Sequence, residues 1–431
     1  MERLEGGCRA DVAIVGGGVT GLMLASALSQ AGCRVVLLDT RDGLAIGEHC
    51  AASMLLAEDL ARVEAVHGLD AARQYASALQ TQLRALLSVP LPYVRECTGY
   101  AYAFPDELPL LDKLHALHLS VQSPCSIAPD AGGCPFPVAL SLMARAAVID
   151  MTAWQEALLA AIRRNGGRVF FRSRVVDMRD GRLITRHGSV NAPQIIWADR
   201  KPPGLTQKAL LALLESRCLV RCILTGGTPL YSVQQPVNGG GLALCPVPEG
   251  ILARWDASRL GMPAQQERLS AFERAPHRLL PDWTIGEFRY AQGVFSLDGL
   301  PVIGQLAGTQ TLFITGTDGC GVLGAMHAAE VMARRVLGHT LPEDALYRPD
   351  RPIPSAFLRA QTKHLTRIYL RSMLRRGAPV CAHCGCRMRY SVAAQRWECP
   401  YCGSCYTMLG QLLCGPGTAD APLSVRQRPD L

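Results

Sequence analysis

"DVAIVGGGVTGLMLASALSQAGCRVVLLD", residues 11–39, contains four consecutive apolar residues, Val12 to Val15, that read as a strand buried on both faces. The run leads straight into Gly16-Gly17-Gly18-Val19-Thr20-Gly21, a G-x-G-x-x-G spacing. An apolar helix is predicted from Val19 to about Ala31, stopped by Gly32, and a second buried strand, Val35 to Leu38, ends on Asp39. Each part has a physical task. Gly16 permits the tight turn, Gly18 lets the backbone approach a pyrophosphate, and Gly21 lets the helix pack closely on the strand. The helix N-terminus offers unpaired N–H groups and a positive dipole end to phosphates. Asp39 can accept hydrogen bonds from ribose hydroxyls and repels a 2′-phosphate, which argues against NADP. The stretch therefore predicts a Rossmann-like βαβ unit holding a dinucleotide through Gly16, Gly18, Val19, Thr20, Gly21, Asp39 and Thr40.

The rest of the chain sets bounds on what surrounds this unit. Its 431 residues suffice for two domains and an appendage, and 49% hydrophobic with 19% charged residues excludes global disorder. The formal charge of +8 has no nucleic-acid-binding motif beside it, so no nucleic-acid partner is expected. No apolar run reaches membrane-spanning length, and the opening "MERLEGGCRAD" has no apolar signal core. Ten of the seventeen cysteines are scattered singly, as suits free thiols in a reducing cytoplasm, while seven crowd into residues 381–414.

The choice between FAD and NAD rests on "FSLDGLPVIGQLAGTQTLFITGTDGCGVLGAMHAAEVMARRVLG", residues 295–338. It reads as a strand from Thr311 to Thr315, a glycine-rich loop and a long helix to about Leu337. This resembles the closing segment of the D-amino-acid-oxidase-like superfamily of FAD-dependent oxidoreductases. There the last strand returns to the nucleotide sheet and the next helix points its N-terminus at the flavin, where it favours the anionic reduced ring. The resemblance implies flavin contacts at Gly316, Gly319, Gly321, Val322 and Gly324, and near the adenine at Val175 or Val176, with Val176 favoured. Segment 45–53, "AIGEHCAAS", matches the loop that passes the flavin ring in relatives. The strand that ends Ala-Thr in the superfamily ends here Ala198-Asp199-Arg200.

More narrowly, the order of segments resembles the subgroup of these flavoproteins that carries a C-terminal Rieske-type domain. The implied organisation is an α/β oxidoreductase domain over residues 8–345. Its FAD-binding parts are about 8–60, 139–205 and 295–340, and a β-rich substrate domain is inserted as 61–138 and 206–294. A linker and basic helix follow at 346–378, then a Cys-rich module at 379–425. The basic helix, with Arg359, Lys363, Arg367, Arg371, Arg375 and Arg376, is expected to pack on the flavin domain with its charges in water.

Two readings compete for "CAHCGCRMRYSVAAQRWECPYCGSC", residues 381–405. Cys381-x-x-Cys384-Gly and Cys399-x-x-Cys402-Gly, fourteen residues apart, form the paired knuckles of a rubredoxin- or zinc-ribbon-like module. A Rieske [2Fe–2S] site needs two cysteines and two histidines. By resemblance Cys381, His383 and Cys399 fill three of those places, but Cys402 stands where the second histidine belongs. The four-cysteine set predicts Zn²⁺ in a structural role. The alternative set includes His383 and carries iron, as a mononuclear centre or a [2Fe–2S] cluster.

The superfamily resemblance implies an enzyme that removes a hydride from a C–N bond of an amine or amino acid, with an electron-acceptor protein as a further partner. Tyr102, Arg254, Arg289 and Tyr290 are candidate pocket residues, Arg254 as a bidentate clamp for a substrate carboxylate. No residue pattern singles out a catalytic base. A flavin-binding assembly or maturation partner without turnover, and a flavin–iron–sulfur electron-transfer protein, are the alternatives.

Overall fold

A computed structural model describes residues 2–44, 49–55, 57–179, 181–200, 202, 213–238, 241–260, 265–375, 377–415 and 420–421. The opening stretch folds as its pattern requires. Val12–Val15 and Val35–Leu38 are fully buried parallel neighbours joined by the helix Val19–Gln30. They lie inside a six-stranded sheet, which runs Val302–Gln305, Leu312–Thr315, Gln194–Trp197, Val12–Val15, Val35–Leu38, Arg168–Phe170. All neighbours are parallel except the first pair. Parallel strands need long crossovers and burial on both faces. Helices Val19–Gln30, Met151–Arg164 and Gly321–Val336 cover one face and pack with it into the largest apolar core, while the other face packs against the small sheet that includes Arg182–Thr185 and Gly188–Asn191.

Asp150 begins the second of these helices as its cap, its carboxylate accepting from the N–H groups of Thr152 and Ala153 at 2.9 and 3.1 Å. The segment 189–200 forms two strands rather than one. Gly188–Asn191 belongs to a small four-stranded sheet with Gly6–Arg9, Arg182–Thr185 and Val175–Arg179, and only Gln194–Trp197 enters the nucleotide sheet. Pro193 lies between them, where a missing N–H would interrupt any ladder.

The inserted β-rich part is a large, mainly antiparallel sheet. It includes Val94–Ala103, Leu214–Thr225, Gly250–Arg259 and Arg289–Ser296, and also Leu140–Asp150, which falls in an expected FAD-binding part but pairs along its length with Val94–Ala103. The basic helix spans Ser355–Met373. Its Gln361 and Ser372 are buried, while Leu370 and Met373 stay exposed beside the cations; Arg376 lies outside the described residues. Among the described residues no helix is long and apolar enough to cross a membrane. The chain ends in a fourth, four-stranded antiparallel sheet: Arg389–Ser391, Arg396–Glu398, Cys405–Tyr406, Leu412–Cys414.

One buried ion network ties the start of the linker to the main body. Arg351 forks onto Asp298 with Nε–Oδ2 2.6 Å and Nη2–Oδ1 2.8 Å, and His67 Nε2 lies 2.9 Å from the same carboxylate. The Asp298 and Arg351 side chains are 2% and 1% exposed. Burial alone would raise the Asp298 carboxyl, yet His67 and Arg351 outweigh it and hold it well below the usual carboxylate range.

Candidate flavin site and metal centre

The glycine turn shows why each glycine is there. At Gly16, φ is +109°, and an added Cβ would lie 2.8 Å from the Asp199 nitrogen. At Gly21 a Cβ would come within 1.8 Å of the Gly16 carbonyl oxygen, so this residue sets helix-to-strand contact. Gly18 is different, because nothing lies within 4 Å of a Cβ built on it. The space that such a Cβ would enter belongs to a cleft of about 500 Å³.

That cleft runs along the C-terminal ends of the nucleotide strands, where dinucleotide sites form in such sheets. Gly16, Gly18, Val19, Thr20, Asp39 and Thr40 line one end. Gly316, Gly321 and Val322 bring the loop and N-terminus of the helix Gly321–Val336 to the other. No acidic residue occupies the first turn of either helix facing the cleft, which leaves their positive ends uncancelled.

Asp39 is held firmly. Its Oδ2 accepts the Gly17 N–H at 2.7 Å and its Oδ1 accepts the Arg41 N–H at 2.7 Å, while Arg41 Nη2 reaches Oδ2 at 2.8 Å. Burial pushes this carboxyl up, but the Arg41 guanidinium and the two N–H groups outweigh it and keep it below its ordinary range. A negative charge is thus fixed at the adenosine end, with Arg41 as its companion.

Several expected contacts fall elsewhere. Val175 lines the cleft and Val176 does not, because neighbouring strand residues face opposite sides. Gly21, Gly319 and Gly324 serve packing: a Cβ at Gly319 would meet Phe295 at 2.9 Å, and one at Gly324 would meet Cys320 at 2.2 Å. Of the pocket candidates only Arg254 reaches the cleft. Tyr102 turns into the β-domain core against Phe104 and Phe136 and donates its hydroxyl to the Leu242 carbonyl at 2.8 Å. Tyr290 donates its hydroxyl to Glu273, and Arg289 is exposed at the start of its strand, opposite Arg221. Residues 45–48 of the expected ring-passing loop lie outside the described residues, whereas Cys50, on the strand that follows, lines the cleft.

Other lining residues carry no signal in the sequence. Arg174, Arg200 and Asp318 come from loops whose positions depend on the whole sheet. Least expected are Leu412, Leu413, Cys414 and Gly415, the last hairpin of the Cys-rich module, which form part of the wall. The wall of the cleft therefore includes residues from beyond the oxidoreductase segments that the sequence pointed to. Arg174 Nη2 reaches the Leu413 carbonyl at 3.4 Å, and Gln292 Nε2 donates to the Gly403 carbonyl at 2.6 Å.

Within the module, two matching turns build a thiol cluster. The N–H of Gly385 donates to the Cys381 carbonyl at 3.0 Å, and that of Gly403 to the Cys399 carbonyl at 3.0 Å. Both glycines have positive φ, +72° and +78°. The sulfurs of Cys381, Cys384, Cys399 and Cys402 all lie within 4.8 Å of one another. Cys381–Cys402 is 3.6 Å and Cys384–Cys399 is 3.4 Å. A single tetrahedral ion with metal–sulfur bonds of about 2.3 Å sets its sulfurs roughly 3.8 Å apart, so the donors fit one ion. His383 is not a member of this four-atom group.

A glycine-turn nucleotide cleft bordered by a β-rich sheet and by a returning strand and helix is the arrangement of a flavin-dependent oxidoreductase. The chain belongs to the DAO family, described as FAD dependent oxidoreductase, whose family model matches residues 11–335. Over 94% of its length, and 91% of the other's, it is 22% identical to a Bacillus subtilis protein named as the Rieske 2Fe-2S iron-sulfur protein YhfW. Glycine oxidase from Geobacillus kaustophilus superposes with a TM-score of 0.60 at 19% identity, covering 80% of this chain and all of that one. L-proline dehydrogenase from P. horikoshii gives 0.60 at 12% identity, covering 81% of this chain and 98% of its own.

The cleft fits FAD on its own terms. Gly18 opens onto it, two helix N-termini and the cations Arg41, Arg174 and Arg200 border it, and Asp39 stands at one end. When bound, FAD supplies the two-electron acceptor. The protein's residues supply orientation, charge and exclusion of water.

Proposed function

We propose that the protein oxidises a C–N bond of an amine or amino acid, with the flavin taking the hydride. The observation that carries this reading is Arg254. It projects from the strand Gly250–Arg259 of the inserted domain into the cleft that the nucleotide turn forms on its far side. A guanidinium there matches a carboxylate in bidentate geometry and would fix an amino acid's Cα beside the flavin. Glycine oxidase and L-proline dehydrogenase, two of the structural neighbours, are named for amino-acid substrates.

The test is anaerobic. A panel of amines and amino acids is mixed with the oxidised protein, and flavin absorbance is followed. Bleaching by at least one carboxylated amine is expected, and Arg254→Met should weaken its half-saturation about 10- to 100-fold, the worth of a charge-assisted pair. If no amine bleaches the flavin while a hydroxy acid or polyol does, the substrate class is wrong.

For the module we propose one Zn²⁺ on Cys381, Cys384, Cys399 and Cys402, with a structural role. Four thiolates at single-ion spacing support it, as does the small size of the sheet they hold together. A second reading, an iron centre that carries electrons, is favoured by the Rieske name of the full-length relative. Elemental analysis separates the two. Zinc near one per chain supports the first, and iron with acid-labile sulfide supports the second.

A further inference from the structure

Two cysteines outside the metal cluster face one another beside the flavin cleft. Cys405 and Cys414 are paired across the adjacent antiparallel strands Cys405–Tyr406 and Leu412–Cys414, with the register shifting just beyond them, between Cys405 and Tyr406. Opposed residues in such a ladder have Cα atoms about 4.5–5.5 Å apart and side chains on the same face, within the range that a disulfide spans. Both thiols point at a single acceptor, Gln292 Oε1, at 3.1 Å from Cys405 and 3.0 Å from Cys414. The orientation of that amide is not arbitrary. Its Nε2 donates to the Gly403 carbonyl at 2.6 Å, and Gln292 is 3% exposed, so Oε1 is committed to the sulfurs. Cys405 is fully buried behind, while Cys414 lines the cleft together with Arg200, Asp318 and Gly316.

We propose that Cys405 and Cys414 are a redox-active pair, dithiol in one state and disulfide in the other, which exchanges two electrons with the flavin of the adjoining cleft. In the oxidising direction two S–H bonds break and one S–S bond forms. The two electrons and two protons released convert FAD to FADH₂. In the reverse direction the same two electrons and two protons pass from FADH₂ to the sulfurs and the S–S bond breaks. FADH₂ comes from the protein's own oxidoreductase activity, and an external disulfide can regenerate the S–S bond by exchange at Cys414.

The surroundings divide the labour between the sulfurs. Contact with the Cys405 sulfur, with Arg200 and Arg396 nearby, holds the Cys414 thiol below its ordinary range against the cost of burial. Cys405 is pushed the other way by the same contact and by burial. Cys414 lines the cleft while Cys405 is fully buried, so Cys414 is the sulfur that an external disulfide can reach. Gln292 is the positioning residue.

The proposal rests on FAD occupying the cleft, which the visible spectrum of the isolated holoprotein reads independently. The holoprotein is oxidised with diamide, desalted, alkylated and mapped by peptide mass spectrometry. Cys405 and Cys414 should be found linked. Complete anaerobic photoreduction of the flavin, which needs no amine, should then free both for alkylation. Reductive titration of the oxidised protein should consume about two more electrons per flavin than Cys414→Ser or Cys405→Ala, a difference that subtracts any contribution from the metal centre. Failure of the pair to link, a disulfide that survives full bleaching of the flavin, or equal electron counts in wild type and both variants would each overturn the proposal. The mapping arm uses wild-type protein, so poor folding of a variant cannot decide the matter.

Discussion

Gly18 and Gly21 sit three residues apart in one motif and answer to different forces. A Cβ at Gly21 would collide with the Gly16 carbonyl oxygen, whereas one at Gly18 meets no protein atom and enters the cleft. The backbone at Gly18, φ −63° and ψ 177°, is open to any residue. Gly18→Val should therefore fold with a near-normal melting temperature and lose its flavin, read as the ratio of flavin to protein absorbance. Gly21→Val should lose flavin and stability together, because strand and helix are forced apart. Full flavin in folded Gly18→Val would remove the pyrophosphate assignment. The close helix-to-strand approach at Gly21 was legible in the spacing. The partner of Asp39 was not, since Arg41 folds back onto it through a turn that no periodicity encodes.

At the scale of elements, legibility follows how local the determinant is. Val35–Leu38 is a run of apolar residues within one strand, and the observed bounds match the reading. The clustering of the four cysteines was equally plain, because a C-x-x-C turn is a local object. Its docking was not. Gly403 touches Ser216, where a Cβ would lie 2.1 Å from the hydroxyl, and Leu412 to Gly415 enter the cleft wall, contacts between segments some two hundred residues apart. The same reason explains the misplaced pocket residues. Tyr102 and Tyr290 are polar aromatics whose facing is decided by partners elsewhere in the chain, Leu242 just before the strand Ala243–Val247 and Glu273 on the helix Gln265–Leu279.

That docking changes what metal loss should do. If Cys381, Cys384, Cys399 and Cys402 hold an ion, Cys399→Ser removes one of its four ligands, and a small sheet held by an ion melts without it. The tail from about residue 377 should become sensitive to protease, seen as a shortened band with metal released on elemental analysis. Because 412–415 form part of the wall, flavin affinity should fall as well, measured as faster release on dilution. His383→Ala should leave metal content unchanged if the four sulfurs are the ligands, and lower it if His383 is one. Unchanged flavin retention in metal-free Cys399→Ser would show that the hairpin wall is not needed.

For the whole molecule, the Asp298–Arg351–His67 network joins three distant pieces of chain: the end of the helix Ala57–His67, the turn before the strand Val302–Gln305, and the linker leading to the Cys module. Removing one partner of a buried, bidentate pair strands the other charge and costs about 3–5 kcal/mol. Asp298→Ala should therefore lower the melting temperature by several degrees and loosen the linker to protease before the flavin domain unfolds. The pH dependence has a definite sign. The Asp298 carboxyl lies below its unfolded value in the folded protein, so the unfolded chain binds the extra proton on acidification. Its contribution is present in full above the ordinary carboxylate range, near pH 4, and is lost as pH falls below that toward the lowered value. Asp298→Asn keeps the shape but cannot titrate. Thermal melts from about pH 3 to pH 7 should show the variant less stable than wild type at neutral pH, with the gap narrowing as acid protonates the wild-type carboxylate. A gap that stayed constant, or widened in acid, would mean that Asp298 stabilises the linker by shape and hydrogen bonding rather than by its charge.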